Sequence, residues 1–74
     1  MTRNERALKL VKKWVEKVGP GEAKRRLINE KIGFSTADKI VRDDYISTPG
    51  EWLTDLLLAE MAKDGITLAG EKAS

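Results

Sequence analysis

Apolar side chains return at steps of three and four residues along most of this chain, and no segment carries the strict alternation that a strand needs. Ala7, Leu8, Val11, Trp14, Val15 and Val18 form one stripe, while Lys9, Lys12, Lys13 and Lys17 fall mostly on the other side. Thr2 and Glu5 have the T-x-x-E spacing of a capping box, in which each side chain satisfies a free backbone N–H of the first turn. A first helix is therefore expected from about Arg3 to Val18. Gly19-Pro20-Gly21 stops it, because glycine supplies a left-handed cap and proline opens a new helix more readily than it continues an old one.

A second helix is expected over about Pro20 to Lys31, with Ala23 and Leu27 inward, Ile28 at their edge, and Lys24, Arg25 and Arg26 outward. Ile32-Gly33-Phe34-Ser35 reads as a break. Gly33 suits a positive φ there, and Ser35 or Thr36 suits the cap of a short third helix running from about Thr36 to Asp43, with Ala37, Ile40 and Val41 inward. Asp43 and Asp44 oppose the macrodipole at its C-terminus and so favour an end at that point. The sharpest start signal follows: Thr48 as N-cap, Pro49 at the first helical position and Glu51 at the third. The fourth helix, 49–64, carries Trp52, Leu53, Leu56, Leu57, Leu58, Met61 and Ala62, apolar over more than one stripe, so it needs two neighbours. Asp64-Gly65 ends it, Ile66 and Leu68 are placed to pack back, and 69–74 is expected to be a flexible tail.

The fold class expected is all-α, four to five short helices in one domain over 1–68. With 74 residues there is no room for a second domain. The absence of cysteine and histidine removes disulfides, thiolate metal sites and the usual imidazole base, so the core must hold by packing alone or with a partner chain. No phosphate-binding loop or nucleophile elbow is present, and Asp43, Asp44 and Glu51 lack the spacing of a calcium loop. An enzyme is not expected, nor a cofactor, a metal or a small-molecule substrate. The longest apolar runs, such as Leu56 to Leu58, are far too short to span a bilayer, and the charged start lacks the apolar core of a secretory signal. The expected location is the cytoplasm.

The net charge of +2 hides an asymmetry: Arg3 to Lys31 holds ten Lys or Arg against four Glu, and Ile32 to Ser74 holds four against eight acids. The first half thus suits an anionic partner. Within the four-helix domain, two short helices flank a glycine-containing turn, the arrangement of a helix-turn-helix, whose first helix crosses the phosphate backbone and whose second enters the major groove. The stretch Leu27-Ile28-Asn29-Glu30-Lys31-Ile32-Gly33-Phe34-Ser35-Thr36-Ala37-Asp38-Lys39-Ile40-Val41, with Tyr45 and the pattern of the fourth helix, resembles the lambda-repressor-like DNA-binding proteins of phages and prophages, the Cro and repressor class. The resemblance spans about Glu22 to Ile66. Aligned on Gly33, the first buried position of the third helix falls on Lys39, and one extra residue in the turn returns it to Ile40.

This resemblance implies sequence-specific binding of double-stranded DNA by a small phage- or prophage-type transcriptional regulator, a repressor, with helix 36–43 in the major groove. Thr36, Asp38, Lys39 and Arg42 are then the side chains expected toward base edges, where Lys and Arg suit guanine and Asp accepts from a cytosine amine. Lys24, Arg25, Arg26, Lys31 and Ser35 are expected at phosphates, with an acid elsewhere in the chain as the competing partner for Arg25. Trp14, Trp52, Phe34 and Tyr45 read as core or interface residues. The apolar excess of the fourth helix points to a homodimer buried through Trp52, Leu56, Leu58 and Met61. A rival of another class is a small helical protein–protein interaction module, antitoxin-like or a phage adaptor, that uses helix 49–64; the acidic second half favours it and the basic first half opposes it.

Overall fold

The computed structural model describes residues 2–68, and the tail expected over 69–74 lies outside them. Among the described residues the chain is all-helical: α1 Arg3–Val18, α2 Pro20–Asn29, α3 Phe34–Val41 and α4 Glu51–Lys63, with no strand. The capping box forms as spaced: the Glu5 N–H donates to Thr2 Oγ1 at 3.2 Å and the Thr2 N–H donates to Glu5 Oε1 at 2.9 Å. Gly19, at φ +93°, ends α1 by donating to the Val15 carbonyl and begins α2 by accepting from Ala23, so the corner takes one residue.

The three later helices end alike. In α2 the Ile32 N–H reaches the Leu27 carbonyl and the Lys31 N–H reaches that of Ile28; α3 repeats this pairing with Asp44 and Asp43, and α4 with Ile66 and Gly65. These are Schellman ends, which place one residue in the left-handed region and turn the next back over the helix. Gly65 occupies that position at φ +80°, but Lys31 (φ +69°) and Asp43 (φ +62°) occupy it without being glycine. The positive φ expected at Gly33 therefore belongs to Lys31, and α2 stops at Asn29 short of the expected Lys31. Ile32, turned inward by this end, is buried. Gly33, at φ −57°, is left to cap α3, which begins at Phe34, two residues before the expected Thr36 and without a Ser35 or Thr36 side-chain cap.

The start of α4 is also displaced. The Thr48 box does not form: the Pro49 carbonyl accepts from Asn4 Nδ2 at 2.8 Å, Glu51 binds the Arg3 guanidinium at 3.1 Å, and Gly50 becomes the N-cap. Contacts made by α1 outcompete a local signal.

The core is built around α1, which packs on each of the other helices, while α2 packs on both α3 and α4. Leu10, Val11 and Trp14 of α1 meet Ala23 and Leu27 of α2, Ala37 and Ile40 of α3, Ile32, and Leu53, Leu57 and Met61 of α4. Ala7, Ala23 and Ala37 are fully buried, small side chains that let helices approach closely. Val15, Val18, Ile28, Val41, Tyr45, Ile66 and Leu68 pack at its edge. Phe34 and Trp52, expected in a core or interface, are 66% and 63% exposed and so are not core in this chain. No helix among the described residues is long and apolar enough to cross a membrane.

Candidate nucleic-acid interface

The outer side of the α2–α3 pair is set by its buried side. Ala23 and Leu27 fix one face of α2 against the core, and Ala37 and Ile40 fix one face of α3, so Ser35, Lys39 and Arg42 are exposed and Thr36 and Asp38 half-exposed. The residues expected at base edges thus lie on the exposed or half-exposed part of one short helix. Phe34, the first residue of α3, stands beside them, with Lys24 Nζ 4.0 Å from its ring centroid. Such a cation over an aromatic face is attracted by the ring quadrupole.

The charges here are largely occupied. Asp38 accepts from Lys24 Nζ and from Arg42 Nη1, both at 3.1 Å, and Arg42 also lies 3.6 Å from Asp44. The Lys24 hydrogen bond, then that of Arg42, holds the Asp38 carboxyl below its usual range. Arg25 forms a two-pronged pair with Glu22, Nε to Oε1 at 3.1 Å and Nη2 to Oε2 at 2.7 Å, lowering the pKa of the acid and raising that of the base. Arg26 is a different case. Its side chain is only 16% exposed and is held by Glu60 at 3.1 Å and Asp64 at 2.6 Å, over the Trp14 ring. It ties α2 to α4, and its expected place at a phosphate is corrected to a structural one. Lys31 and Ser35, the other expected phosphate contacts, are exposed, and Lys31 enters no ion pair among the described residues.

Compared with protein-family models, curated proteins and solved structures, the chain matches none.

Of the expected interface residues of α4, Trp52 is exposed and Leu56 and Leu58 are half-buried, but Met61 is fully buried. Met61 is a core residue; no second chain can reach it without opening the helix packing. Between α2 and α4 an open groove is lined by Glu22, Arg25, Arg26, Asn29, Glu30, Glu60 and Lys63, whose charges mostly satisfy one another. Among the described residues no cluster of acids is placed to hold a metal.

Two features escaped the sequence. Phe34 reads in the sequence as a core or interface residue, whereas it is exposed as the first residue of an α3 that starts two residues early. Lys9, Lys12 and Lys13 were legible as the polar side of α1, but their lack of an ion pair among the described residues was not.

Proposed function

We propose that this chain is a sequence-specific double-stranded DNA-binding protein, a small helix-turn-helix regulator of the phage-repressor kind, with α3 entering the major groove. One observation carries the proposal. Two short helices, packed on each other and joined by residues 30–33, leave the first turn of the second helix exposed at Phe34 and Ser35 and half-exposed at Thr36, with Lys39 in its last turn and Arg42 at its C-cap. Helix-turn-helix domains read bases with that part of that helix. Lys39 and Arg42 are the donors to guanine, Phe34 supplies an apolar edge for a thymine methyl, and Lys31 and Ser35 meet phosphates. Asp38 acts by releasing Lys24 and Arg42 as DNA arrives. No catalysis is assigned, and the cytoplasm is the place proposed for this activity.

The test is selection of a preferred duplex from a random pool, followed by fluorescence anisotropy on that site and on a one-base variant. Lys39→Ala and Arg42→Ala should each relax preference at one position by roughly 1–3 kcal/mol if the contact is two-pronged. Phe34→Ala should weaken the selected site while leaving thermal stability nearly unchanged, because the ring is exposed. Selection that yields no preferred sequence, or variants that keep the parent preference with intact helicity, would remove α3 as a reading helix.

A second reading is favoured by Trp52, a large apolar side chain 63% exposed on α4. It fits either the homodimer of the first proposal, closed through Trp52, Leu56 and Leu58, or a protein-binding module without DNA. Sedimentation of the parent and of Trp52→Lys, with and without the selected duplex, separates these. A monomer at every concentration and with DNA bound rejects the dimer.

A further inference from the structure

We infer that the outer face of α1 is a second polyanion surface, which holds the phosphate backbone of duplex DNA without reading sequence. The surface lies on a different helix from the α3 site and goes beyond it. Ala7, Leu10, Val11 and Trp14 bury one side of this 16-residue helix, which leaves Lys9, Lys12 and Lys13 exposed on the other with Arg6 half-exposed beside them. Arg6, Lys9 and Lys13 stand three and four residues apart, so they fall in one row. That row spans about 10 Å at a rise of 1.5 Å per residue, the axial length of roughly three phosphates on one DNA strand.

Availability distinguishes this row from the cations of α2. Lys24, Arg25 and Arg26 are each bound to a carboxylate, whereas Arg6, Lys9, Lys12 and Lys13 enter no ion pair among the described residues. Of the acids on α1, Glu5 is engaged by the Thr2 cap and attracts Lys9 one turn on without closing an ion pair with it, and Glu16 lies one turn beyond Lys12 and Lys13 without closing on either. Like charges three and four residues apart repel along a helix, so an anion that bridges Lys9 to Lys12 and Lys13 offsets that repulsion. Phosphate of a nucleic acid supplies such an anion at regular spacing.

The face also disfavours other polyanions. A helix that lies on an anionic membrane needs an apolar side to insert, but the apolar side of α1 is spent in the core, and the large exposed apolar residues, Phe34, Ile46 and Trp52, belong to other segments. An acidic protein partner would need an apolar anchor, which this row does not offer.

The experiment measures binding of a short random-sequence duplex to the full chain by anisotropy between about 50 and 200 mM salt. Replacing Lys9, Lys12 and Lys13 together by Gln should make the slope of log K against log salt shallower by about 0.9 per lysine, near 2.7 in all. Glu16→Lys should do the opposite, raising affinity for the same duplex several-fold and steepening the slope, a gain that misfolding cannot imitate. The inference is overturned if the triple variant, helical by circular dichroism, keeps the parent slope; if Glu16→Lys gains nothing; if the parent binds phosphatidylserine vesicles in preference to duplex; or if the parent binds no duplex at all. Loss of sequence preference in the Lys39 and Arg42 variants with an unchanged slope in the triple variant would reject this surface and leave the α3 reading standing. The reverse pattern would keep the α1 surface and reject α3.

Discussion

Arg26→Met removes the charge that links α2 to α4 while keeping a side chain long enough to cover Trp14. In the folded chain Arg26 Nε donates to Glu60 Oε1 at 3.1 Å, Nη2 to the Glu60 carbonyl at 3.3 Å and Nη1 to Asp64 at 2.6 Å. The Glu60 side chain is only 4% exposed, so its carboxylate has little water to fall back on. Removing one partner of a buried pair costs about 3–5 kcal/mol, chiefly because the other charge stays buried. Lys63 remains 2.7 Å from Glu60 and offsets part of this, which places the expected loss near the lower limit, about 3 kcal/mol. A domain of this length has roughly 4–11 kcal/mol in total, so the variant loses about a quarter or more of its stability. In urea, followed by far-ultraviolet circular dichroism, the midpoint should fall by about 2–3 M for a slope of about 1–1.5 kcal/mol per molar. Arg26→Met combined with Glu60→Leu should recover most of the loss, since an apolar pair replaces a charged one without leaving a buried ion. A single variant within about 0.5 kcal/mol of the parent, or a double variant no better than the single, would refute the reasoning. A phosphate contact would have behaved otherwise: an unchanged midpoint and a shallower salt dependence of DNA binding.

Acid should weaken the fold in a defined window. The Trp14 indole and then Arg26 hold Asp64 below its usual range, as Lys24 and Arg42 hold Asp38 and the Thr2 N–H holds Glu5. Folded values below unfolded ones give stability that is full above about pH 4–5 and lost as pH falls through the folded values, so the urea midpoint should be level from neutrality to about pH 5 and decline below about pH 4. Asp64→Asn should flatten that decline, and an undiminished decline would place its origin elsewhere. Thr54, fully buried on α4, has a hydroxyl with no hydrogen-bond partner among the described residues. Thr54→Val should stabilise by about 1 kcal/mol and raise the melting temperature by roughly 4–8 °C; a lower melting temperature would show that the hydroxyl is satisfied in solution.

How far the fold was legible depends on whether each signal was local. The bounds of α1 follow from Thr2, Glu5 and the stripe through Trp14, all within one helix, and the structure reproduces them. The start of α4 was the sharpest local signal and is displaced, because Asn4 and Arg3, remote in sequence, take the Pro49 carbonyl and the Glu51 carboxylate. The α2–α3 turn fails for another reason: glycine is the usual occupant of a left-handed position, and here Lys31 takes it so that Ile32 can be buried. At the candidate site the exposed side of α3 could be read from Ala37 and Ile40. The partners of Lys24 and Arg26 could not, since Asp38 and Glu60 lie 14 and 34 residues away.

The charge asymmetry of the sequence changes meaning once folded. Acids of α4 and its end, Glu51, Asp55, Glu60 and Asp64, close on Arg3 and Arg26 from the basic half, so folding cancels part of the division and leaves positive charge concentrated on α1 and at Lys31 and Lys39. On the proposed DNA-binding reading, that residue of charge divides the labour. The α1 row attracts any duplex, whereas Lys24 and Arg42 reach DNA only by leaving Asp38, which taxes every sequence equally and is offset only where base contacts follow. Asp38→Asn lifts that tax, so affinity for random duplex and for the selected site should rise together and their ratio should hold. An unchanged affinity for random duplex would show that the Asp38 pairs do not hold Lys24 and Arg42 back, and a changed ratio would show that Asp38 itself takes part in discrimination.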